Sequence, residues 1–316
     1  MPLQKCLIVD PMHESIFSML HDSGWDVDYY PNITRENIKT KHHGYEGLIV
    51  RSKTFVDRDL LGPNPTLKFV ARAGAGLDNL DLPYLLEKKI HVVHASEGNR
   101  DAVGEHAVGL LLALIRNIVK ADTEVKKFVW ARESNRGSEI MSKTVGIIGF
   151  GNTGQAFARR LSGFGCNVLA YDKYKPNISN QYCTEAKMQA IFEEADVLSL
   201  HIPLTDETRM LVDINYLKRF KKPIILINTA RGEIVSMAAI HQALTEGYLR
   251  GAALDVLENE KLDRLTPSQI EAFNSLRERS DVIFTPHIAG WTYESHVKIN
   301  VALVQKIRAL QLAKPI

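Results

Sequence analysis

The stretch VGIIGFGNTG, residues 145–154, sets an apolar run against three glycines spaced G-x-G-x-x-G. Alone this spacing is weak evidence, because strand-to-helix corners favour glycine on steric grounds. Its surroundings give it meaning. The motif follows the strand-like TVGII and opens a helical pattern over 155–161. In that context Gly149 makes the tight turn and Gly151 lets the backbone approach a pyrophosphate. Gly154 lets the helix lie close to the sheet with its positive end toward phosphate. Eighteen residues beyond Gly154, the strand NVLAYD ends in Asp172, whose carboxylate can accept hydrogen bonds from an adenosine ribose and repels a 2′-phosphate. The cofactor expected is therefore NAD rather than NADP. Lys173 and Lys175 soften that preference, since either could pair with a phosphate.

Outward from the motif, strand-like and helical runs alternate along the whole chain, which predicts α/β layering with parallel sheets. KCLIVD, WDVDYY, YEGLIVR, LKFVAR and IHVVHA form a first set, with helical patterns at 12–22 and 81–88. KTVGIIG, NVLAYD, DVLSLH, PIILINT, GAALDV and DVIFTP form a second, with helical segments such as 237–246. Six strands joined by helices match the two mononucleotide-binding halves of a Rossmann domain. The expected division is a dinucleotide-binding Rossmann domain over 98–291 and a smaller open-sheet domain over 1–97 and 292–316. Residues 101–125 predict one long helix buried on several sides, either within the chain or against a second subunit. The tail ESHVKINVALVQKIRAL has helical spacing and is expected to cross back to the first domain.

Composition narrows the partners. A formal charge of +2 over 316 residues leaves no electrostatic footprint for nucleic acid, so a small-molecule substrate is expected. The apolar run AVGLLLALI is far shorter than the roughly 20 residues that span a bilayer, and MPLQKCLIVD reads as a first strand rather than a signal peptide; no membrane partner is expected. Cys6, Cys166 and Cys183 are odd in number and widely spaced, which suits reduced thiols in the cytoplasm. No metal-ligand cluster stands out, and the adjacent His42 and His43 read as a solvated loop pair. His91, His94 and His106 read as packing or capping residues.

The ends of later strands carry the chemistry, because ligands of open α/β sheets bind there. Arg231 follows the strand ILINT and can clamp a carboxylate through two parallel hydrogen bonds. Asp255 ends GAALD, with Glu260 five residues on, and His287 follows VIFTP. Hydride exchange between a nicotinamide and a 2-hydroxy or 2-keto acid needs a cation for the carboxylate and a proton donor and acceptor for the C2 oxygen. Arg231 fits the first role. His287, oriented by Glu260 and stabilised by it as imidazolium, fits the second.

With these residues in place, the chain resembles the D-isomer-specific 2-hydroxyacid dehydrogenases over nearly its whole length. GIIGFGNTG, VLAYD, HIPLTDETRMLV, LINTARGEIV, GAALDV and FTPHIAG resemble that family's successive motifs. The resemblance implies two open parallel-sheet α/β domains, a Rossmann NAD-binding domain and a flavodoxin-like substrate domain, with closure of one on the other excluding water. It implies Arg231, Glu260 and His287 as the catalytic trio. Its implied cofactor-binding positions are Gly149, Gly151, Asn152, Thr153, Gly154, Asp172, His201, Pro203, Thr208, Thr229, Ala230 and Asp255. In the first domain VRSKT and ARAGAGLDNLD resemble substrate loops, which implies Arg51, Ser52, Lys53, Ala75, Gly76 and Asn99 as substrate-binding. A homodimer is the family expectation.

Within the family the short phosphoglycerate dehydrogenases are the best match, with Arg51 and Lys53, and Arg72 or Arg100, as candidates for a substrate phosphate. The chain ends without the C-terminal serine-sensing module of some of those enzymes, so feedback through one is not expected. Glyoxylate or hydroxypyruvate reductase and D-lactate dehydrogenase share the trio and stay open, as does an NAD-sensing binding protein or corepressor. Formate dehydrogenase is disfavoured because it has glutamine where Glu260 stands. Two positions depart from the family: Lys261 replaces a frequent proline, leaving Glu258 a competitor for the role of Glu260, and Trp291 is bulky where relatives carry small residues.

Overall fold

A computed structural model describes residues 3–312 of the chain. They form two compact units, Met1–Arg100 with Trp291–Ile316, and Asp101–Gly290. Residues 1–2 and 313–316, which the sequence assigns to the first domain, lie outside the described residues.

In the first unit five parallel strands, β1 (Gln4–Ile8), β2 (Trp25–Tyr29), β3 (Gly47–Val50), β4 (Phe69–Arg72) and β5 (His91–His94), lie in the order β2-β1-β3-β4-β5. This is the flavodoxin-like winding. β3, GLIV, is buried along its whole length, as expected of a parallel strand covered on both faces. The tail returns to this unit as the helix Tyr293–Leu312, which sets Ile299, Leu303, Val304 and Ile307 into the core beside Cys6 and Ile8. Gly98 permits that return, because a Cβ there would lie 2.5 Å from the Ile299 backbone. His42 is not solvated as the sequence suggests. It is fully buried in a short turn of helix with neither ring nitrogen hydrogen-bonded, its ring centroid 4.1 Å from that of His43. Burial first, then the neighbouring His43, pushes its pKa down to about 4, so the ring is neutral at physiological pH.

The second unit is a seven-stranded parallel sheet: β6 (Thr144–Ile148), β7 (Asn167–Tyr171), β8 (Thr184–Glu185), β9 (Val197–Leu200), β10 (Ile224–Asn228), β11 (Leu249–Leu254) and β12 (Val282–Phe284). Its order is β12-β11-β10-β9-β6-β7-β8, so the chain reverses its direction of winding between β6 and β9. The six strands expected from sequence are present. The edge strand β8 is an addition, held to β7 by two residues, Leu169↔Thr184 and Ala170↔Glu185.

The single helix expected over 101–125 is two helices, Arg100–Ile115 and Ile118–Lys126, bent by 61°. Asn117 lies between them at φ 55°, a left-handed conformation that asparagine tolerates better than most residues. The first segment buries Ala107, Leu110, Leu111 and Leu114, whereas the second buries none of its residues. Gly104 lets the first segment lie against the helix Asn152–Leu161, since a Cβ there would be 2.9 Å from the Ala156 carbonyl carbon. Among the described residues no single helix is long and apolar enough to cross a membrane.

Candidate cofactor and acid–base site

The three glycines of the opening motif do different work. Gly149 sits at φ +89°, and a Cβ on it would stand 2.4 Å from the His201 carbonyl oxygen. A Cβ on Gly154 would stand 2.2 Å from the Gly149 carbonyl oxygen. Both are therefore demanded by backbone meeting backbone where the sheet reverses. Gly151 is unlike them: its φ of −80° suits any residue and nothing lies within 4 Å of its missing Cβ. It caps the helix Asn152–Leu161 with no side-chain hydrogen bond at the cap. The protein itself does not require glycine there, and the open space in front of a helix N-terminus fits a pyrophosphate.

Asp172 ends β7 and holds the glycine turn. One carboxylate oxygen accepts from the Phe150 amide at 2.8 Å, and the other accepts from the Tyr174 and Lys175 amides at 2.9 and 3.1 Å. The exposed Lys173 ammonium pairs with Glu207. Thr208 ties down the neighbouring loop, donating to the Pro203 carbonyl at 2.7 Å and accepting from the Thr205 amide at 2.8 Å. Thr229 follows β10 with a buried hydroxyl that has no protein partner. An orphaned hydroxyl at a strand end, a clear cradle at Gly151 and a fixed acid at Asp172 together fit NAD.

Arg231 leaves β10 through an ordered corner. The Asn228 side chain donates to the Arg231 carbonyl at 2.9 Å and accepts from the Ala230 amide at 3.0 Å, and the Arg231 guanidinium donates to the Ala230 carbonyl at 2.7 Å. Gly232 brings this corner against the next loop: its Cβ would lie 1.8 Å from the Leu257 carbonyl oxygen. In that loop the two candidate glutamates separate. Glu258 accepts from the Met237 amide at 3.1 Å and from the Gln269 side chain at 3.2 Å, so it joins two helix starts. Glu260 instead meets His287, with Nδ1 3.0 Å from Oε2 and 2.9 Å from Oε1. Both partners are about half exposed.

His287 has a left-handed backbone, φ 55°, which is strained for a non-glycine residue. Asp255 holds it there. The His287 amide donates to the Asp255 carbonyl at 2.8 Å, and the fully buried Asp255 carboxylate accepts from the Ile288 and Ala289 amides at 2.9 and 2.8 Å and from the Thr285 hydroxyl at 2.6 Å. His106 completes the chain, its Nε2 3.1 Å from the Thr285 hydroxyl and 3.4 Å from Asp255 Oδ1. Burial opposes the charge on Asp255, yet the hydrogen bonds from His106, Thr285 and the two amides hold it below the usual carboxylate range. The sequence reading of His106 as a packing or capping residue does not specify this contact.

His201 follows β9, and its Nε2 lies 2.9 Å from the Ser199 hydroxyl. Burial pushes its pKa down to about 3, so it is neutral and unsuited to donate a proton near pH 7.

The first unit carries its own set. The RSKT loop after β3 is fixed by Asp10, whose carboxylate accepts from the Arg51 amide at 2.6 Å and the Thr54 hydroxyl at 2.6 Å, and by Asn79, which donates to the Arg51 and Thr54 carbonyls at 3.1 and 2.7 Å. Ser52 is exposed. Lys53 is exposed and donates to the Pro31 carbonyl at 2.7 Å. Ala75 and Gly76 are half-buried after Gly74, which takes φ +151°, and the Asn99 carbonyl oxygen is buried without a partner. Asp10 and Asn79 escape the sequence reading. The available signal for Asp10 was an acid closing an apolar strand, as in KCLIVD, VLAYD and GAALD.

Comparison with known proteins agrees with this arrangement. Residues 108–289 match the model of the D-isomer specific 2-hydroxyacid dehydrogenase NAD binding domain. The chain belongs to the D-isomer specific 2-hydroxyacid dehydrogenase family. It is 37% identical to a hydroxypyruvate reductase of Thermotoga maritima over 82% of this chain and 83% of that protein. It is 35% identical to a D-3-phosphoglycerate dehydrogenase of Methanocaldococcus jannaschii over 96% of this chain, but it spans only 57% of that relative's length. Among solved structures it resembles D-lactate dehydrogenase from Aquifex aeolicus, complexed with NAD and lactic acid, with a TM-score of 0.83 and 27% identity over 98% of this chain and 95% of that one.

The glycine argument separates folding from cofactor binding. Gly151→Ala should leave thermal stability within about 1 kcal/mol, as an N-cap change in open space, while weakening NADH binding at least tenfold by fluorescence titration. Equal NADH affinity would remove the pyrophosphate from this cradle.

The buried His201 also sets a pH dependence. The unfolded imidazole takes a proton near pH 6.5, whereas the folded ring resists it to about pH 3. The stability this residue contributes is therefore complete above about pH 6.5 and lost as the pH falls from there toward 3. Urea denaturation between pH 7 and pH 4 should show a shallower decline for His201→Gln than for the unmodified chain.

Proposed function

We propose that this chain is an NAD-dependent D-2-hydroxyacid dehydrogenase acting between D-3-phosphoglycerate and 3-phosphohydroxypyruvate, a step of serine biosynthesis. The reaction type rests on one observation above all, the His287–Glu260 pair at 2.9 Å on a loop held by a buried acid. Bound NAD supplies the acceptor for the hydride from C2. Arg231 binds the substrate carboxylate. Glu260 engages Nδ1 of His287 and leaves Nε2 to exchange the proton of the C2 oxygen: the neutral ring takes it during oxidation, Glu260 stabilises the imidazolium, and the charged ring returns it during ketone reduction. Asp255 and His106 act as positioning residues for this loop. The phosphorylated substrate is favoured by Arg51, a half-buried guanidinium on a fixed loop, and by the phosphoglycerate dehydrogenases among the relatives.

A hydroxypyruvate reductase is the second reading, favoured by the Thermotoga maritima relative, which this chain matches over 83% of its length. Following NADH oxidation with 3-phosphohydroxypyruvate, hydroxypyruvate, glyoxylate and pyruvate separates the two. A kcat/KM at least a hundredfold higher for the phosphorylated ketone is expected. Preference for an unphosphorylated acid would transfer the chain to the second reading, and no turnover with any of the four would leave an NAD-sensing binding protein.

We further propose a cytoplasmic homodimer. The cytoplasm is favoured by Cys6, Cys166 and Cys183, all free thiols whose pKa values burial pushes up. The dimer is favoured by a run of exposed apolar side chains at the end of the helix Ile118–Lys126, where Phe128 is 100% and Trp130 81% exposed. Such a run calls for a partner surface. Light scattering should give twice the chain mass at micromolar concentration, and Phe128→Ser with Trp130→Ser should give a monomer; a monomeric unmodified chain would overturn the assignment.

A further inference from the structure

The Arg51 side chain is held by residues that none of the roles above uses. Its guanidinium carbon lies 4.1 Å from the centre of the Trp291 ring, and its Nη2 lies 2.9 Å from Nε2 of His296. Trp291 and His296 brace each other edge to face, with centroids 4.9 Å apart and planes at 87°. Because arginine can only donate, His296 Nε2 must be the acceptor and the ring must be neutral. Burial first, then Arg51 and His13, lowers the pKa of His296 and keeps it so.

The backbone around this cluster is also fixed. Asp10 and Asn79 bind the Arg51 amide and carbonyl. His296 sits in the first turn of the helix Tyr293–Leu312, whose start is closed by a reciprocal pair: the Thr292 amide donates to the Ser295 hydroxyl at 3.1 Å and the Ser295 amide to the Thr292 hydroxyl at 3.0 Å.

Among the described residues no carboxylate forms an ion pair with the Arg51 guanidinium, and its Nε and Nη1 donate to no protein acceptor. A partly desolvated cation kept in one orientation by neutral neighbours, with donors left over, is a seat for an anion. We propose that Trp291 and His296 are specificity-determining positioning residues, which hold Arg51 rigid so that its unused donors select 2-keto acids carrying a second anionic group, a phosphate ester or a distal carboxylate. This rests on the reading of Arg51 as a substrate-binding residue. It gives Trp291, the bulkiest departure from the family pattern, a use: an indole face orients a guanidinium where a small side chain cannot.

The test compares 3-phosphohydroxypyruvate with hydroxypyruvate, which differ only in the phosphate, so that the shared dependence on Arg231, Glu260 and His287 cancels in the ratio of kcat/KM. Trp291→Ala and His296→Leu should each lower that ratio about tenfold, the scale of a lost desolvated cation–π contact or charge-assisted hydrogen bond, chiefly through a higher KM for the phosphorylated ketone. Trp291→Phe keeps an aromatic face and His296→Gln keeps an acceptor, so both should recover most of the ratio. NADH binding and circular dichroism establish that each variant is folded, and the two positions test the clamp independently if one variant fails to fold. An unmodified protein that prefers the phosphorylated ketone, with variants that keep the full preference, would overturn the clamp while leaving Arg51 in place. An unmodified protein that prefers neither the phosphorylated ketone nor a 2-keto dicarboxylate such as oxaloacetate over hydroxypyruvate would overturn the reading of Arg51 and the clamp with it.

Discussion

At the carboxyl ends of the seven-stranded sheet, backbone packs directly on backbone. Gly149 meets the His201 carbonyl, Gly154 meets the Gly149 carbonyl and Gly232 meets the Leu257 carbonyl, each at a separation that excludes even a methyl group. Side chains normally keep neighbouring loops apart. Without them the loop after β6 is locked to that after β9, and the loop after β10 to that after β11, so the placement of Thr229, Arg231 and Glu260 is set by the main chain. Precision of this kind matters for hydride and proton transfer, which lose rate steeply when the reacting groups are displaced by an ångström.

The two units solve the remaining placement in the same way, by burying an aspartate at a strand end and surrounding it with donors. Asp10 closes β1 and binds the loop after β3; Asp255 closes β11 and binds the loop after β12. A buried carboxylate is costly unless its lone pairs are satisfied, so the loop that supplies the amides cannot leave without stranding the charge. What each loop carries is a residue of the proposed site: Arg51 in one, His287 in the other. The left-handed backbone of His287 is maintained by this arrangement, with strain offset by three hydrogen bonds to one carboxylate.

Much of this was legible in the chain. The parallel α/β fold follows from alternating apolar and helical runs, because buried parallel strands read as continuous apolar stretches, and the glycine motif marks where the sheet reverses. The misses have physical causes. β8 is two residues long, too short to show a period. The break at Asn117 is a single left-handed residue inside an otherwise helical pattern, and asparagine gives no sign of which conformation it takes. His42 lies in a polar neighbourhood of the sequence, yet the fold buries it completely. The partners that Lys53 and Lys173 meet, the Pro31 carbonyl and Glu207, lie 22 and 34 residues away and leave no local trace. Local sequence states what a side chain can do; only tertiary contacts state what is left for it to do.

The distribution of exposure then separates the His287–Glu260 pair from the groups buried around the strand ends. His287 and Glu260 are about half exposed, within reach of water. Asp255 and His201 are buried, the first held charged by four donors and the second held neutral by desolvation. Near neutral pH neither responds to acid or base, so both keep one electrostatic state. Arg51 belongs with the framework in its rigidity and with the reacting pair in its accessibility. Its charge is permanent, its backbone is fixed from both sides, and part of its hydrogen-bonding capacity is unfilled. A group in that position cannot take part in proton transfer; what it offers is a fixed positive charge with donors to spare.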